Sequence, residues 1–257
     1  MIDSTVLFEN QHGIGLITLN RPAARNSITP QLCIDLSAAI ERAANDDGVR
    51  VVVLRGAGDH FCAGADLAQQ PGERTMPLEE MLLLGGRAAM ALYQMPKPTI
   101  ALIRGSVAGG GLALALACDI RLADSSSVMS FAYSRIGVSG DFGCLYFLSR
   151  VIGHGAATEF ALACPKLSAQ QAVEWGVLRQ VYPADELQEA CENVSQQLVQ
   201  MSSLALGKIK ENLVAAQDLS PDDYLQLEAK NFAECRNSGE FLQVMQAYRD
   251  KLKNTTD

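Results

Sequence analysis

Residues 135–147 read RIGVSGDFGCLYF, where one carboxylate, Asp141, sits among three glycines with no Lys, Arg or His between Arg135 and Arg150. A carboxylate beside an apolar run is costly to bury unless it stays hydrated, caps a helix or does chemistry. Asp in a glycine turn ahead of FGCLYFLSRVIG is a good N-cap, and it is also a good proton acceptor. These residues alone leave both readings open.

Two other glycine turns could hold a ligand. HFCAGADLAQQ (60–70) follows the strand-like VVVLRGAGD, and RGSVAGGGLALALACD (104–119) runs from a strand through Gly109, Gly110 and Gly111 into a helix. The first N–H groups of a helix have no internal partner and favour negative charge, and glycine lets a ligand approach the backbone closely. Tight strand–helix packing is the ordinary use of such glycines. Two turns of this kind could instead give two N–H groups to one carbonyl oxygen. Neither turn has the GxGxxG or GxxxxGK[ST] spacing of nucleotide sites, and GVSGD is not GxSxG, because Asp141 takes the second glycine's place.

The other reactive side chains form no constellation. The seven cysteines (33, 62, 118, 144, 164, 191, 235) include no CxxC pair and sit mostly in apolar surroundings, as small hydrophobes of a reducing compartment do. His12 lies in a hairpin turn, His154 follows a glycine, and His60 precedes the first glycine turn, where it reads as structural or as a neighbour of a ligand. No His/Asp/Glu set has metal-ligand spacing, so no metal is expected.

The elements that must position these residues alternate strand and helix. Val6–Glu9 and Ile14–Leu19 read as a hairpin closed at NQHG; Thr29 and Pro30 open a helix as cap and first-turn proline. VRVVVLRG and KPTIALIRGSVAG are buried strands with a helix at about 78–94 between them, and DIRLADSSSVMSFAY supplies two short strands. After Pro183 the pattern is helical only, with Gly207 a weak point. The chain divides into an α/β core over 1–195 and a helical region over 196–257, whose apolar faces ask for a packing partner. No fixed-period repeat is visible.

The chain has 257 residues, 48% hydrophobic and 19% charged, which suffices for a large core. A net charge of −8 with no basic stripe excludes phosphate-backbone binding, so no nucleic-acid partner is expected. MIDSTVLFEN has neither a basic n-region nor an apolar h-region, and GGGLALALACDI is too short to span a bilayer. A cytoplasmic protein with no membrane partner is expected.

FCAGADL, GSVAGGGLALALACDIRLAD and RIGVSGDFGCLYFLSRVIG, with LNRPAARNSIT, KPTIALIRG and AVEWGVLRQVYPADEL, together resemble the enoyl-CoA hydratase/isomerase (crotonase) superfamily over essentially the whole chain. The resemblance implies an α/β spiral of repeated β-β-α units with a C-terminal helical trimerisation region, and a homotrimer or a hexamer built as a dimer of trimers. It implies an acyl-CoA thioester substrate, with coenzyme A part of the substrate and no separate cofactor.

By the same resemblance, Ala65 and Gly110 supply two backbone N–H donors to the thioester oxygen, and one such donor is worth about 10²–10³ in rate. Ala63, Asp66 and Leu67 contact the coenzyme or substrate, as do Tyr133 and Phe142 nearer the acyl group. Arg25 lies near the coenzyme phosphates, and Lys251 reaches a coenzyme site, across a subunit boundary in one version. QQPGERTMPLEEMLLL would be a mobile lid.

Hydratases of the superfamily carry two glutamates where this chain has Ala113 and Tyr133, so ordinary hydration is disfavoured. Asp141 stands where several isomerases keep their single catalytic carboxylate. That points to an enoyl-CoA isomerase whose Asp141 takes a proton from one carbon and returns it two carbons along. Dehalogenases of 4-chlorobenzoyl-CoA use an aspartate there as nucleophile but need a histidine where this chain reads LLLGGRAAM, with Gly85 and Gly86, so an aryl or acyl-CoA hydrolase or dehalogenase ranks second. An atypical hydratase and a non-catalytic CoA-ester binder are further alternatives.

Overall fold

In the computed structural model, residues 4–68 and 75–254 are described, with side chains through Arg249. β1 (Val6–Gln11) and β2 (Ile14–Leu19) form the expected antiparallel hairpin, turning at His12 and Gly13, both at positive φ. α1 (Pro30–Asn45) begins where its sequence says it should: Thr29 accepts the Leu32 N–H on its side chain and Pro30 occupies the first turn. β3 (Val51–Gly56), α2 (Leu78–Gln94) and β4 (Thr99–Ile103) follow.

KPTIALIRGSVAG is not one strand. It breaks at Gly105, held at φ +54°, into β4 and a second strand, β5 (Ser106–Ala108), that belongs to a different sheet. α3 (Gly110–Ala117) comes next, then β6 (Ile120–Asp124), β7 (Val128–Ser130) and α4 (Cys144–Ile152). In chain order the rest are α5 (His154–Ala163), β8 (Lys166–Ser168), α6 (Ala169–Glu174) and β9 (Val181–Tyr182). Four helices end the chain: α7 (Leu187–Val199), α8 (Ser203–Ala215), α9 (Pro221–Arg236) and α10 (Gly239–Asn254). Residue 195, the expected core boundary, lies inside α7.

The strands form a six-stranded sheet, β1-β2-β3-β4-β6-β9, and a three-stranded sheet, β5-β7-β8. From β2 onward the larger sheet is parallel. Twice a strand of the larger sheet hands the chain to one of the smaller sheet and then to a helix, as β4–β5–α3 and β6–β7–α4. This is the repeated β-β-α unit.

One face of the larger sheet packs with α1, α2 and α3 into the main core, and the other packs on α7 through Leu187 and Cys191. Every residue of α3 is buried. α8 runs unbroken through Gly207, where a Cβ would meet the Pro96 carbonyl at 2.7 Å, so this glycine serves close packing against the residues after α2. Beside it, buried Lys210 donates to Asp119 at 2.8 Å and to the Leu92 carbonyl at 2.9 Å, tying the helical tail to the core.

Candidate active site

The two glycine turns meet in space. Cys62 and Val107 form an isolated parallel bridge, with the Cys62 N–H donating to the Ser106 carbonyl and the Ala108 N–H to the Cys62 carbonyl, each at 3.0 Å. Gly64 (φ +90°) and Gly109 (φ +53°) then pass each other so closely that a Cβ on Gly64 would lie 2.8 Å from the Ala108 carbonyl. Only glycine fits Gly64's combination of φ and space.

On its other edge the first turn pairs with the chain before α1. The Ile28 N–H donates to the Gly64 carbonyl at 2.8 Å and the Asp66 N–H to the Ile28 carbonyl at 3.0 Å. In that pattern Ala65, between them, directs its own N–H away from Ile28. No acceptor for the Ala65 N–H or the Gly110 N–H exists among the described residues, and Gly110 opens the N-terminus of α3. Two backbone donors on abutting turns are thus left unpaired.

Asp141 hangs at the end of the exposed loop 134–140 and just before α4. Its side chain does not cap that helix: Gly143 is the N-cap residue, with no side-chain cap, and only the Asp141 backbone carbonyl takes part, accepting the Cys144 N–H at 2.9 Å. The carboxylate instead accepts the Tyr133 hydroxyl on Oδ1 at 2.5 Å. No cation pairs with it among the described residues. Burial raises its pKa above the ordinary carboxylate value, while the Tyr133 hydrogen bond pulls the other way.

Tyr133 links the carboxylate to the glycine turns. Its ring is 4% exposed, packs edge-on against Phe131 at 4.6 Å, and lies 3.6 Å from where a Gly109 Cβ would be. Burial pushes its phenol far up, so it stays protonated. Phe142, at φ +51°, lays its buried ring between Gly110 of α3 and Gly85 of α2, and a Cβ on Gly85 would sit 2.0 Å from that ring. The neighbouring thiols Cys33 and Cys62 are pushed up to about 12 chiefly by burial, with the Asp141 charge adding to it in both and a Gly64 backbone hydrogen bond opposing it at Cys62, so neither is a thiolate at neutral pH.

The remaining expected contacts are distributed around the first turn. Arg25 is exposed at φ +51°, and its carbonyl takes the Ala63 N–H at 3.0 Å, so Ala63 offers a ligand only its carbonyl. Asp66 is already committed: burial raises its pKa, but hydrogen bonds from Arg21 and the Ala68 N–H outweigh this and hold it below the ordinary range. Leu67 is 74% exposed. The side chain of Lys251, on α10, lies outside the described residues, as does 69–74 of the expected lid.

Sequence reasoning missed Arg21 and Asn26. Arg21 joins Asp66 (2.9 Å) to the Ser27 carbonyl (2.6 Å), and fully buried Asn26 donates to the Ala57 and His60 carbonyls. Both pin the segment that pairs with Ala65. The one local sign was Asn26 itself, an Asn in the left-handed region next to a proline turn. His60 is structural, its Nδ1 accepting the Ser106 N–H at 3.0 Å.

Known proteins resemble this chain over nearly its whole length. The family model described as enoyl-CoA hydratase/isomerase matches residues 9–256. The chain is 33% identical over 227 residues to the 1,2-epoxyphenylacetyl-CoA isomerase of Escherichia coli K12, covering 87% of each chain. It is 27% identical over 253 residues to 4-chlorobenzoyl coenzyme A dehalogenase-2 of an Arthrobacter species, covering 97% of this chain and 92% of that one. The crystal structure of an enoyl-CoA hydratase from Bacillus anthracis superposes with a TM-score of 0.91 at 28% identity over 96% of both chains. A match over nearly the full length, joined to the two-sheet β-β-α architecture, makes this chain a member of the enoyl-CoA hydratase/isomerase (crotonase) family and an acyl-CoA-processing enzyme.

Proposed function

We propose that the protein is an enoyl-CoA isomerase in which Asp141 shifts a double bond by removing a proton at one carbon of the acyl chain and returning it two carbons along. The observation that carries this reading is the Asp141 side chain: half-buried, unpaired with any described cation, free of helix capping, and raised in pKa by burial. One base suffices for such a shift, because the same carboxyl group gives back what it took. The thioester oxygen carries the negative charge of the dienolate meanwhile, and the Ala65 and Gly110 N–H groups are the donors proposed to hold it.

Hydration asks for a second acid/base group, and the position occupied by a glutamate in hydratases holds Ala113, buried and inert. Dehalogenation asks for a water-activating base near the carboxylate, and at Gly85 the Phe142 ring leaves no room for a side chain. The coenzyme is proposed to run past Arg25 and the Ala63–Leu67 turn, and the exposed apolar side chains of α8–α10 are proposed to pack between three or six copies of the chain.

Incubation with 3-enoyl-, 2-enoyl- and aryl-CoA esters tests the reading. Interconversion of 2- and 3-enoyl isomers without change of mass supports it. Gain of one water, or loss of halide from a 4-halobenzoyl ester, as the main conversion overturns it.

A further inference from the structure

Resting on the proton-transfer role proposed for Asp141, we infer that Tyr133 is a positioning residue for that carboxylate, tying up Oδ1 so that Oδ2 alone carries the substrate proton. The two oxygens differ plainly. Oδ1 accepts the Tyr133 hydroxyl at 2.5 Å, whereas Oδ2 has no hydrogen-bond partner among the described residues. A carboxylate on a loop of glycines would otherwise rotate between equivalent oxygens. Phe131 fixes the Tyr133 ring edge-on at 4.6 Å, and the same ring abuts Gly109, so one side chain spans from the acid to the turn that presents the Gly110 N–H.

The phenol is suited to this task because toward the carboxylate it acts as a neutral donor. Deep burial keeps its proton on, so it neither competes for the substrate proton nor carries charge. Its hydrogen bond favours the charged form of Asp141 against the burial that disfavours it. When Asp141 takes a proton from the substrate carbon, that proton bonds to Oδ2 and the Tyr133 hydroxyl remains on Oδ1. When it is returned, the Oδ2–H bond breaks and the carboxylate regains its charge, with no other group changing protonation.

Tyr133→Phe removes the hydroxyl and keeps the ring. Two readouts separate this role from a merely structural one. A ¹³C titration of the aspartate carboxyls, with Asp141 identified by its loss in Asp141→Asn, should show the Asp141 pKa about one unit higher in Tyr133→Phe than in the wild type. The acid limb of the pH–rate profile for α-proton exchange on a 3-enoyl-CoA should move up by the same amount. That leaves Tyr133→Phe about tenfold slower on the acid side and recovering at high pH. Superposable titrations in the two proteins overturn the inference. If wild-type exchange survives in Asp141→Asn, the isomerase reading fails as well, whereas exchange that needs Asp141 but ignores Tyr133→Phe removes only the role given to Tyr133.

Discussion

Asp141 holds an expensive position, and its cost has a sign. Burial raises its pKa, so the folded protein binds a proton at pH values where the unfolded chain has already released it. The stability this group contributes is therefore fully present below the unfolded value near 4 and falls as pH rises through the higher folded value. Asp141→Asn should abolish isomerisation and raise the Tm at pH 7–8 by about 2–4 °C, the gain vanishing as the pH drops below about 4. Thermal melts across pH check this, and an Asn variant no more stable at pH 8 than at pH 4, relative to wild type, would count against burial as the source of the shift. Asp141 was legible in the sequence as an acid with no local counter-charge. Tyr133 was legible as a neighbour of the acyl group, but its hydrogen bond to Asp141 was not: it lies eight residues back across a loop, and no periodicity fixes where such a loop aims a side chain. The Arg21–Asp66 link spans 45 residues and was invisible for the same reason.

At the scale of elements, the two glycine turns were legible because each follows a strand and the second runs into a helix, and the structure brings them together at Gly64 and Gly109. What the sequence could not show is why α2 carries Gly85. Phe142 occupies its side-chain space from α4's leading loop. Gly85→His, which would supply the imidazole that a dehalogenase needs, should therefore cost about 1–3 kcal/mol of stability by overpacking and confer no hydrolysis. Adding Phe142→Ala should return part of that loss, because the two residues share one space. Chemical denaturation of the single and double variants measures it; additive losses would mean the two side chains do not compete. The break of KPTIALIRGSVAG into β4 and β5 also escaped the sequence, since both halves are equally apolar and only the backbone at Gly105 separates them.

For the whole molecule, the alternation of strands and helices and the purely helical end could be read from residue patterns. The β-β-α winding could not, because β5, β7 and β8 have three residues each, too few to leave a period. The tail keeps Ile209, Leu213, Leu225, Phe232 and Leu242 more than half exposed in the single chain. Side chains of this size on consecutive helices are proposed to be covered by further copies. Phe232→Asp, at a residue 72% exposed, should leave the fold intact and shift the sedimenting species toward monomer. An unchanged sedimentation profile would place the contact elsewhere.

Isomerisation by this route requires Asp141 to move a proton on an acyl-CoA whose enolate is held by two backbone donors. Mass spectrometry of a 3-enoyl-CoA incubated in deuterated water with the wild type and with Asp141→Asn measures this most directly. Deuterium uptake with formation of the 2-enoyl isomer is expected in the wild type, and neither above background in the variant, if Asp141 is the proton carrier. Equal exchange in the two proteins would contradict it.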